Sequence, residues 1–332
     1  MNVDRVVPRA RILGTGSCLP ERVIDNRALE AGLATSDAWI RAHTGIGARR
    51  SIEDGETTSD LALVAARRAI EAAGLSAADL DMILLATSTG DSPLPATAAH
   101  LQQKLGADLI PSLDVNASSA GFLYALTVAE QFIAAGTFKT ILVVAADAPT
   151  RFVAPDDRTA RIMFGDGAGA VVLGESSGES GILSSTIHAD GSFGELMGIP
   201  GGGSAEPLDR DALDRGRQYL RVDGARLREL TVRHLTSCSM QALKAARLTS
   251  AELDWVVPQQ GNLRIVETIS ERLGFPMTRF VLDTEEVGNT LAASIPIALD
   301  RAVRAATVTP GQTVLLCALG AGITWGAAII RL

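Results

Sequence analysis

The sequence has few aromatic residues, few cysteines and no long apolar run. Aromatic side chains make up only 4% of its 332 residues. The three cysteines, Cys18, Cys238 and Cys317, lack the paired spacing of a disulfide framework, and no histidines accompany them at metal-ligand spacing. No apolar run approaches the roughly 18 residues that a membrane-spanning helix needs. We therefore expect a protein with no disulfide framework, no metal site and no membrane partner.

Basic charge is also in short supply. Asp and Glu number 38 against 30 Lys and Arg, so the net charge is −8, which argues against a nucleic-acid partner. The N-terminal segment MNVDRVVPRARILG lacks the apolar core of a secretory signal, so we expect a cytoplasmic protein. Apolar residues make up 47% of the chain and glycine occurs 32 times. This composition is typical of a soluble globular protein whose helices pack closely on a buried sheet.

Apolar runs of strand length alternate with helical patterns along most of the chain, which predicts an α/β fold. The predicted strands cover residues 11–19, 81–87, 110–115, 139–146, 255–257, 313–318 and 325–332. The predicted helices cover residues 26–44, 58–73, 96–105 and 263–273. The Gly-, Pro- and Asp-rich residues 198–214 are predicted to form a surface loop or a seam between two halves.

The stretch Leu113–Leu126, LDVNASSAGFLYAL, is the first candidate for a functional site. A strand-like approach ends there in small residues, and a helical run follows. Enzymes often place nucleophiles at such a corner, because backbone N–H groups point outward and the helix dipole favours negative charge. The candidates are Ser118 and Ser119. The alternative is an ordinary helix cap, since serine is a preferred N-cap residue.

The chain also contains an internal repeat. Residues 72–87 read AAGLSAADLDMILLAT, and residues 245–260 read AARLTSAELDWVVPQQ. Each copy continues into a predicted helix that ends in Leu-Gly. A predicted strand follows and ends in an aspartate, Asp114 in the first copy and Asp283 in the second. The repeat predicts two βα-rich halves of similar topology.

The repeat predicts which residues meet in space. The alignment places Ser119 opposite Asn289, at an offset of 170 residues (289 − 119). Two halves related by a pseudo-two-fold axis would bring these residues and the 258–260 loop to one cleft. We predict an N-terminal half over 1–180, which carries the serine corner, and a C-terminal half over 181–332. The alternative is a chance similarity between two α/β segments.

With these motifs in place, the chain resembles the beta-ketoacyl-acyl-carrier-protein synthase III family. The motifs that carry the resemblance span the chain: Trp39-Ile40, Thr44-Gly45-Ile46, Ser119-Ala120-Gly121-Phe122, Phe164-Gly165-Asp166-Gly167-Ala168-Gly169, Val257-Pro258, Asn262-Leu263-Arg264-Ile265, Gly288-Asn289-Thr290 and Thr324-Trp325-Gly326. The resemblance implies a thiolase-like fold of five αβαβα layers with an internal pseudo-two-fold duplication. It also implies a homodimer.

The resemblance assigns catalytic roles by position. In the family, a cysteine thiolate takes the acyl group, a histidine and an asparagine stabilise an enolate, and two backbone N–H groups hold the oxyanion. These positions are Ser119, Gln259 and Asn289 here, and the backbone donors belong to Ser119 and Ala321. The substrates implied are acyl-CoA, acyl-carrier protein or both. No metal or separate cofactor is implied.

Two of the catalytic residues differ from the family pattern. A cysteine thiol can be ionised near neutral pH at a helix N-terminus, whereas the serine hydroxyl of Ser119 needs an adjacent general base. Gln259 cannot be that base, because its amide does not titrate; it can still donate a hydrogen bond. Among His100, His188 and His234, His188 is the candidate base, with a surface or core histidine as the alternative.

The resemblance also assigns substrate contacts outside the catalytic group. The CoA-contact positions hold Trp39, His43, Arg158 and Asn262. The positions that shape the acyl pocket hold Leu94 and Leu319. The candidate surface for the acidic carrier protein holds Arg264, Arg226, Arg228 and Arg272. The alternative for the tryptophan is a buried helix aromatic, and for each arginine it is a solvated helix face.

Three hypotheses for the function follow. The leading one is an acyltransferase of this family that works through Ser119 and is impaired in decarboxylative condensation. The second is a true 3-oxoacyl-carrier-protein synthase III, of fatty acid or polyketide initiation, that carries active-site substitutions, natural or engineered. The third is a non-catalytic relative that binds an acyl ligand or forms a heterodimer.

Overall fold

The structure is a computed structural model that describes residues 9–176 and 178–332; the first eight residues of the N-terminal segment considered above lie outside the described part. The strands are β1 Arg9–Cys18, β2 Val23–Asp25, β3 Ala48–Arg50, β4 Met82–Ala86, β5 Ser112–Val115, β6 Ile141–Asp147, β7 Gly167–Ser176, β8 Gly181–Ala189, β9 Met197–Gly198, β10 Arg221–Val222, β11 Trp255–Pro258, β12 Thr313–Gly320 and β13 Thr324–Arg331. The helices are α1 Asn26–Glu30, α2 Asp37–Thr44, α3 Thr58–Ala72, α4 Thr97–Leu105, α5 Gly121–Ala134, α6 Arg158–Met163, α7 Arg210–Asp214, α8 Gly224–Ala246, α9 Leu263–Leu273, α10 Thr284–Val287 and α11 Ser294–Arg304.

Two sheets of matching topology form the framework. The first sheet has the order β1-β7-β6-β4-β5, and the second has the order β8-β13-β12-β11. In the first, β4 runs parallel to β5 and β6, and β7 runs antiparallel to β6 and β1. In the second, β11 runs parallel to β12, and β13 runs antiparallel to β12 and β8. The predicted repeat is therefore present in the strand order and in the strand directions.

Helices form three layers around these sheets. Helices α3 and α4 cover the outer face of the first sheet, and α8 and α9 cover the outer face of the second. Helices α5 and α11 lie between the sheets, where Phe122 of α5 and Leu299 of α11 are fully buried with Leu84 and Leu316 of the facing strands. The five-layered αβαβα arrangement is confirmed. No helix in the described part of the chain is long and apolar enough to cross a membrane.

Two sets of equivalent positions, before the strands β4 and β11 and at the turns before α5 and α11, differ by 173 residues. A capping box at Ser76 precedes β4, and one at Thr249 precedes β11 (249 − 76 = 173). Left-handed backbone occurs at Ser118, with φ of 48°, and at Leu291, with φ of 50° (291 − 118 = 173). The repeat is thus confirmed as a structural duplication of both sheets and turns.

This register corrects one prediction from the repeat. At an offset of 173, Asn289 corresponds to Asn116 and Ser119 corresponds to Ala292, so the predicted pairing of Ser119 with Asn289 is wrong. The cause is loop length: the helix-ending glycines Gly106 and Gly274 differ by only 168 residues (274 − 106). The second half therefore has five more residues than the first between that glycine and the turn.

Two predicted elements also differ. The helix predicted over residues 26–44 is divided into α1 and α2, because Ser36 starts a new helix by accepting a hydrogen bond from the Trp39 N–H. The strand predicted before Asp283 is reduced to an isolated parallel bridge between Phe280 and Val256. The chain passes from the first sheet to the second between β7 and β8; the division into 1–180 and 181–332 stays a prediction.

Candidate active site

Ser119 lies in the single turn of 3₁₀ helix over residues 118–120 that follows β5 and leads into α5. Its side chain is buried, at 3% exposure, and its Oγ makes no hydrogen bond to any residue in the described part of the chain. Neither this turn nor α5 has a side-chain cap at its N-terminus. The helix-cap interpretation of Ser118 and Ser119 is therefore wrong, and the Ser119 hydroxyl is free for another partner.

The β12–β13 turn packs directly against the Ser119 backbone. A Cβ atom on Gly320 would lie 2.6 Å from Ser119 N and 2.6 Å from Ala117 O, so only glycine fits there without a shift of backbone. The Thr324 hydroxyl donates to Ala117 O at 2.7 Å and lies 3.1 Å from Ala321 O, which ties the turn to the serine segment. Sequence reasoning gave Gly320 no role and listed Thr324 only as part of a family motif, because the contacts of both residues are with segments distant in sequence.

Two backbone donors are left open by this arrangement. Neither the Ser119 N–H nor the Ala321 N–H donates to an acceptor within residues 9–176 and 178–332. Both belong to segments whose close approach is fixed by Gly320. Two unpaired N–H groups at a fixed separation are what an oxyanion hole requires. That these two groups hold an oxyanion stays a prediction. The packing around them is compatible with that role.

The Asn289 side chain is held in one orientation. Its Oδ1 accepts from the Leu291 N–H at 3.0 Å and from Gln259 Nε2 at 3.1 Å. Its backbone is fixed on both sides, since its N–H donates to Met163 O and its carbonyl accepts from the Gly165 N–H. Both lone-pair directions of Oδ1 are thus occupied, and the Nδ2 group keeps two unpaired donors.

Gln259 follows β11 and donates its backbone N–H to Cys317 O at 2.8 Å. One hydrogen of its Nε2 is used by Asn289, which leaves the second hydrogen and the Oε1 acceptor unpaired among the described residues. A neutral amide in this place can orient a carbonyl group, but it cannot remove the Ser119 proton.

These three candidate residues line one cavity of about 130 Å³. Leu319, Asn262 and Arg228, predicted for the acyl pocket, the CoA site and the carrier surface, line it too. The fold thus brings these six candidate residues together around one cavity; their roles stay predictions. Its wall otherwise includes apolar side chains, which are Met163, Phe164, Met197, Val222, Leu227 and Ile265.

A second cavity of about 290 Å³ lies on the other side of the serine turn. Ala321 and Ser118 line it, and Met197 belongs to the walls of both cavities. Its remaining wall is partly polar and partly apolar: Ser88, Thr89, Asn116, Ala117, Pro149, Phe152, Gly198, Ile199, Leu220 and Leu291. The serine turn therefore separates two cavities, and its two serines face different ones.

The four candidate CoA contacts meet at one place on the surface. The Arg158 guanidinium lies 4.1 Å from the centre of the Trp39 ring, and the His43 ring stacks on Trp39 at 4.0 Å. Asn262 Nδ2 donates to the His43 carbonyl oxygen at 3.2 Å. Trp39 is 38% exposed, so its interpretation as a buried helix aromatic is wrong. A flat ring would have to separate Arg158 from Trp39 in order to stack between them.

The other substrate candidates are exposed. Leu94 is 86% exposed and lines neither cavity beside the serine turn. The four candidate carrier-protein arginines are also exposed, on α8 and α9. Arg264 is partly fixed, because it donates to Ala42 O at 2.9 Å.

The histidines lie elsewhere. His188 Nε2 pairs with Gln241 Oε1 at 3.1 Å, and its ring lies 5.5 Å from that of Trp325. His234 packs on the same tryptophan at 4.2 Å, and His100 lies on the outer helix α4. None of the three lines the Ser119 cavity or bonds to Ser119. The hypothesis that His188 is the base for Ser119 is therefore wrong, and no described histidine replaces it.

A buried carboxylate that sequence reasoning missed supports the Asn289 segment. Asp147, at the end of β6, is fully buried and accepts from the Ala292 N–H at 3.0 Å and the Ser88 N–H at 2.8 Å. Thr87 and Thr89 donate to it as well. Burial raises the pKa of Asp147 to about 6, although these four hydrogen bonds lower it. The sequence contained one signal for this residue, an aspartate at the end of an apolar predicted strand.

Comparison with known proteins places this chain in a family. The 3-Oxoacyl-[acyl-carrier-protein (ACP)] synthase III sequence model matches residues 113–191, and the C-terminal model of that family matches residues 243–332. The Beta-ketoacyl-[acyl-carrier-protein] synthase III of Xylella fastidiosa is 47% identical over 325 residues, which is 97% of this chain and 98% of that protein.

Solved structures agree. The 3-oxoacyl-[acyl-carrier-protein] synthase III of Aquifex aeolicus has a TM-score of 0.90 at 37% identity, over 97% of this chain and 100% of that chain. The priming beta-ketosynthase of the R1128 polyketide biosynthetic pathway has a TM-score of 0.90 at 32% identity, over 99% and 98% of the two chains. The thiolase-like fold is confirmed by these likenesses. The chain belongs to the 3-oxoacyl-[acyl-carrier-protein] synthase III family of acyl-transferring enzymes.

Proposed function

We propose that the protein is an acyltransferase that moves an acyl group from acyl-CoA or acyl-carrier protein through Ser119 and is impaired in decarboxylative condensation. The observation that carries the proposal is the composition of the Ser119 cavity. It has a free hydroxyl, unpaired amide donors on Gln259 and Asn289 and the free backbone N–H of Ser119, but no histidine lines it among the described residues; the second free N–H, that of Ala321, borders the adjoining cavity.

The proposed chemistry begins at the thioester carbonyl. The Ser119 Oγ forms a bond to the carbonyl carbon, the carbon–sulfur bond breaks, and the serine proton goes to the departing thiolate. The Ser119 and Ala321 N–H groups hold the oxygen on which negative charge develops. Because no general base lines the cavity among the described residues, we expect a slow reaction; one such base typically contributes about 10²–10⁴-fold.

Condensation needs more than this site provides. Removal of carbon dioxide from a malonyl thioester leaves an enolate, and a neutral amide at position 259 stabilises that charge less than an imidazole that can carry a proton. Asn289 Oδ1 accepts two hydrogen bonds, which fixes the orientation of the amide. Its Nδ2 donors therefore remain available to a substrate. The site therefore favours binding of a thioester carbonyl over formation of a carbanion.

Substrate delivery follows from the exposed groups. We propose that the Trp39–Arg158 pair opens to take the base of CoA, since a tryptophan face and a guanidinium both stack on flat rings. The exposed arginines on α8 and α9, which include Arg264, would attract an acidic carrier protein. Leu94, which is exposed here, would contribute to the acyl pocket across a homodimer interface. We propose a cytoplasmic location, because the three described cysteines are free thiols.

The test is acylation of Ser119. Purified protein is incubated with acyl-CoA or acyl-carrier protein, and the intact mass is measured. We expect a mass increase of one acyl group, and we expect the Ser119→Ala variant to show neither the adduct nor transfer to an acceptor. Absence of an adduct, with equal transfer by both proteins, would overturn the proposal.

The second hypothesis, a synthase with substituted catalytic residues, is favoured by the fixed Asn289 side chain, whose Nδ2 donors stay unpaired among the described residues. The double variant Ser119→Cys, Gln259→His restores the nucleophile and the imidazole. We expect it to gain malonyl-dependent condensation by at least about 10²-fold over the unmodified protein. Measurable condensation at the same rate by both proteins would instead show that the unmodified chain is a condensing enzyme. The third hypothesis, a non-catalytic relative, predicts ligand or partner binding with no adduct and no turnover.

A further inference from the structure

A third cavity, of about 260 Å³, lies between the β2–β3 pair and helix α6. Three arginines line it, Arg22, Arg49 and Arg161, and no aspartate or glutamate does so within residues 9–176 and 178–332. Apart from the hydroxyls of Ser51 and Thr150, the rest of the wall is apolar. The wall thus carries three positive charges and no negative one.

Arg49 is buried without a counter-charge. The residue is 1% exposed. Its Nη1 donates to Ile24 O at 3.0 Å, and its Nη2 donates to Ile162 O at 2.7 Å and to Asn26 Oδ1 at 2.9 Å. All three acceptors are neutral, and the Nε has no partner in the described part of the chain. A buried charge is normally paired with an opposite one, so the environment of Arg49 favours an anion nearby.

The other two arginines do not supply or receive that counter-charge. Neither they nor Arg49 forms an ion pair with a described carboxylate. The side chain of Arg161 donates to Pro155 O at 3.2 Å, and that of Arg22 has no protein partner among the described residues. Burial lowers the pKa of Arg49 to about 10; Asp25 opposes this shift and Arg161 adds to it. Arg49 therefore stays charged at neutral pH, within the field of a second guanidinium.

The buried carboxylate behind the hydroxyl wall is already used. Asp166 accepts from the Ile52 N–H at 2.9 Å, from the Thr150 N–H at 2.9 Å and from the Thr150 hydroxyl. It does not line the cavity, and burial raises its pKa. Both facts make it a poor counter-charge for the three arginines.

This cavity is distinct from the ones beside the serine turn. It shares Phe164 with the Ser119 cavity and no residue with the cavity of about 290 Å³. None of the four candidate CoA contacts lines it. Nothing in the proposed acyl transfer therefore uses its three charges.

The charge of the wall indicates the class of ligand. A guanidinium fork binds carboxylates and phosphates through paired hydrogen bonds. A phosphate ester carries up to two negative charges and three terminal oxygens, whereas a carboxylate has one charge and two oxygens. Three arginines are therefore matched better by a phosphate. The apolar part of the wall, which includes Leu29 and Phe164, suits an organic group attached to it.

We propose that this cavity is a binding site for a small phosphate-bearing molecule. Arg22 and Arg161 donate to the phosphate oxygens, and Arg49 contributes a fixed buried charge. The phosphate group belongs either to CoA or to an independent phosphate ester, and the experiment distinguishes these two sources.

The test is calorimetric titration of the full-length protein with inorganic pyrophosphate at constant ionic strength, with succinate as the comparison anion. We expect pyrophosphate to bind with one-to-one stoichiometry and succinate to bind about tenfold or more weakly. No binding of pyrophosphate, or equal binding of the two anions, would overturn the proposal.

The variants are Arg22→Gln and Arg161→Gln, which leave the hydrogen bonds of the buried Arg49 in place. Each should weaken pyrophosphate binding about tenfold, because one charged hydrogen-bond donor is lost. The melting temperature without pyrophosphate should not fall, since a like charge is removed. The control is Arg210→Gln, an exposed arginine outside the cavity, which should bind as the parent does. Unchanged binding in both cavity variants, or equal weakening in Arg210→Gln, would contradict the assignment.

The source of the phosphate is found by repeating the titration with saturating CoA. If pyrophosphate still binds with the same affinity, the ligand is an independent phosphate ester. If CoA displaces it, and Arg161→Gln weakens the binding of CoA more than that of dephospho-CoA, the phosphate is that of CoA. Either result supports the phosphate site. Displacement by CoA with no effect of Arg161→Gln would overturn it. None of these measurements depends on acylation of Ser119.

Discussion

The two turns related by the internal duplication differ in the hydrogen bonding of one equivalent backbone N–H group. In the C-terminal half, the Ala292 N–H donates to the buried Asp147 carboxylate at 3.0 Å. In the N-terminal half, the equivalent Ser119 N–H faces Gly320, which has no side chain (292 − 119 = 173 and 320 − 147 = 173). The residue at the end of the facing strand therefore decides whether the N–H is bonded or open.

This difference leaves an open N–H donor in one half only, the half in which we propose that an oxyanion is held. A carboxylate at position 147 satisfies its turn and fixes it, so the Ala292 N–H has no further capacity. A glycine at position 320 lets two backbone segments approach closely and leaves the Ser119 N–H for a ligand. In the C-terminal half the turn is fixed by Asp147, and in the N-terminal half the Ser119 N–H stays open.

The largest effect on the rate of Ser119 acylation is expected when Gly320 is replaced by a residue with a side chain. In Gly320→Ala the added Cβ would lie 2.6 Å from Ser119 N, so the turn must move and the two N–H groups lose their alignment. We expect Ser119 acylation to slow by about 10²–10³-fold, which is the effect of losing one oxyanion donor. Time-resolved intact-mass measurement checks this.

The matched control is Gly32→Ala, since a Cβ there meets no atom within 4 Å. It is expected to acylate Ser119 at the rate of the unmodified protein. A Gly320→Ala protein that is equally fast would contradict the assignment of the Ser119 and Ala321 donors.

A smaller effect on acylation, together with a loss of stability, is expected from Asp147→Asn. The amide can keep the three donors at Oδ1, but its NH₂ group then faces the Ala292 N–H, so two donors oppose each other in a buried site. We expect the free energy of unfolding to fall by about 1–3 kcal/mol. We also expect acylation to slow about tenfold, because the turn that fixes Asn289 shifts.

The control for this variant is Asp81→Asn. Asp81 also accepts from two backbone N–H groups, those of Lys139 and Thr140, but it is remote from the cavity. Both donors reach Oδ2, so the asparagine oxygen can keep them; we expect a small loss of stability, because the hydrogen bonds are no longer to a charged group, and no loss of acylation rate. Slower acylation in Asp81→Asn to the same extent would mean that Asp147 acts only through global stability.

The same aspartate predicts a pH dependence. Because burial raises the pKa of Asp147 to about 6 from 3.8, the folded state binds its proton more tightly than the unfolded state. The free energy of unfolding should therefore decrease as pH rises from about 4 to 6, and this contribution should level off above pH 6. Chemical denaturation across this range should show the decrease in the parent and a smaller one in Asp147→Asn.

The smallest effect is expected at the left-handed residue Ser118. Glycine relieves a strain of about 1–2 kcal/mol at φ of 48°, and it increases the entropy of the unfolded chain at a cost of about 0.5–1 kcal/mol. We expect Ser118→Gly to be more stable than Ser118→Ala by up to about 1 kcal/mol, as measured by denaturant titration. A Ser118→Gly protein that is clearly less stable than Ser118→Ala would show that this turn is not strained.

Much of this arrangement could be predicted from local sequence. Apolar runs located β4, β6, β11 and β12, because strands covered on both faces are continuously apolar. The family motifs located Ser119, Gln259 and Asn289 by position. These three residues do line one cavity.

The remaining features depend on contacts between distant segments. The pairing of Ser119 with Asn289 was wrong because loop lengths differ between the halves, and motif positions do not reveal where a loop is longer. Gly320 is one of 32 glycines, and nothing near it in sequence indicates that it packs against the Ser119 N–H. His188 was a candidate base by residue type alone, and its position on β8 beside Trp325 could not be inferred from its neighbours.

The most direct test of the account is the site of acylation in the unmodified protein. Incubation with an acyl-CoA, followed by intact-mass measurement and peptide fragmentation, should find one acyl group on Ser119. The adduct should be absent in Ser119→Ala and strongly delayed in Gly320→Ala. An acyl group found equally in Ser119→Ala, or no adduct in any protein, would contradict the assignment of Ser119 as the acyl-carrying residue.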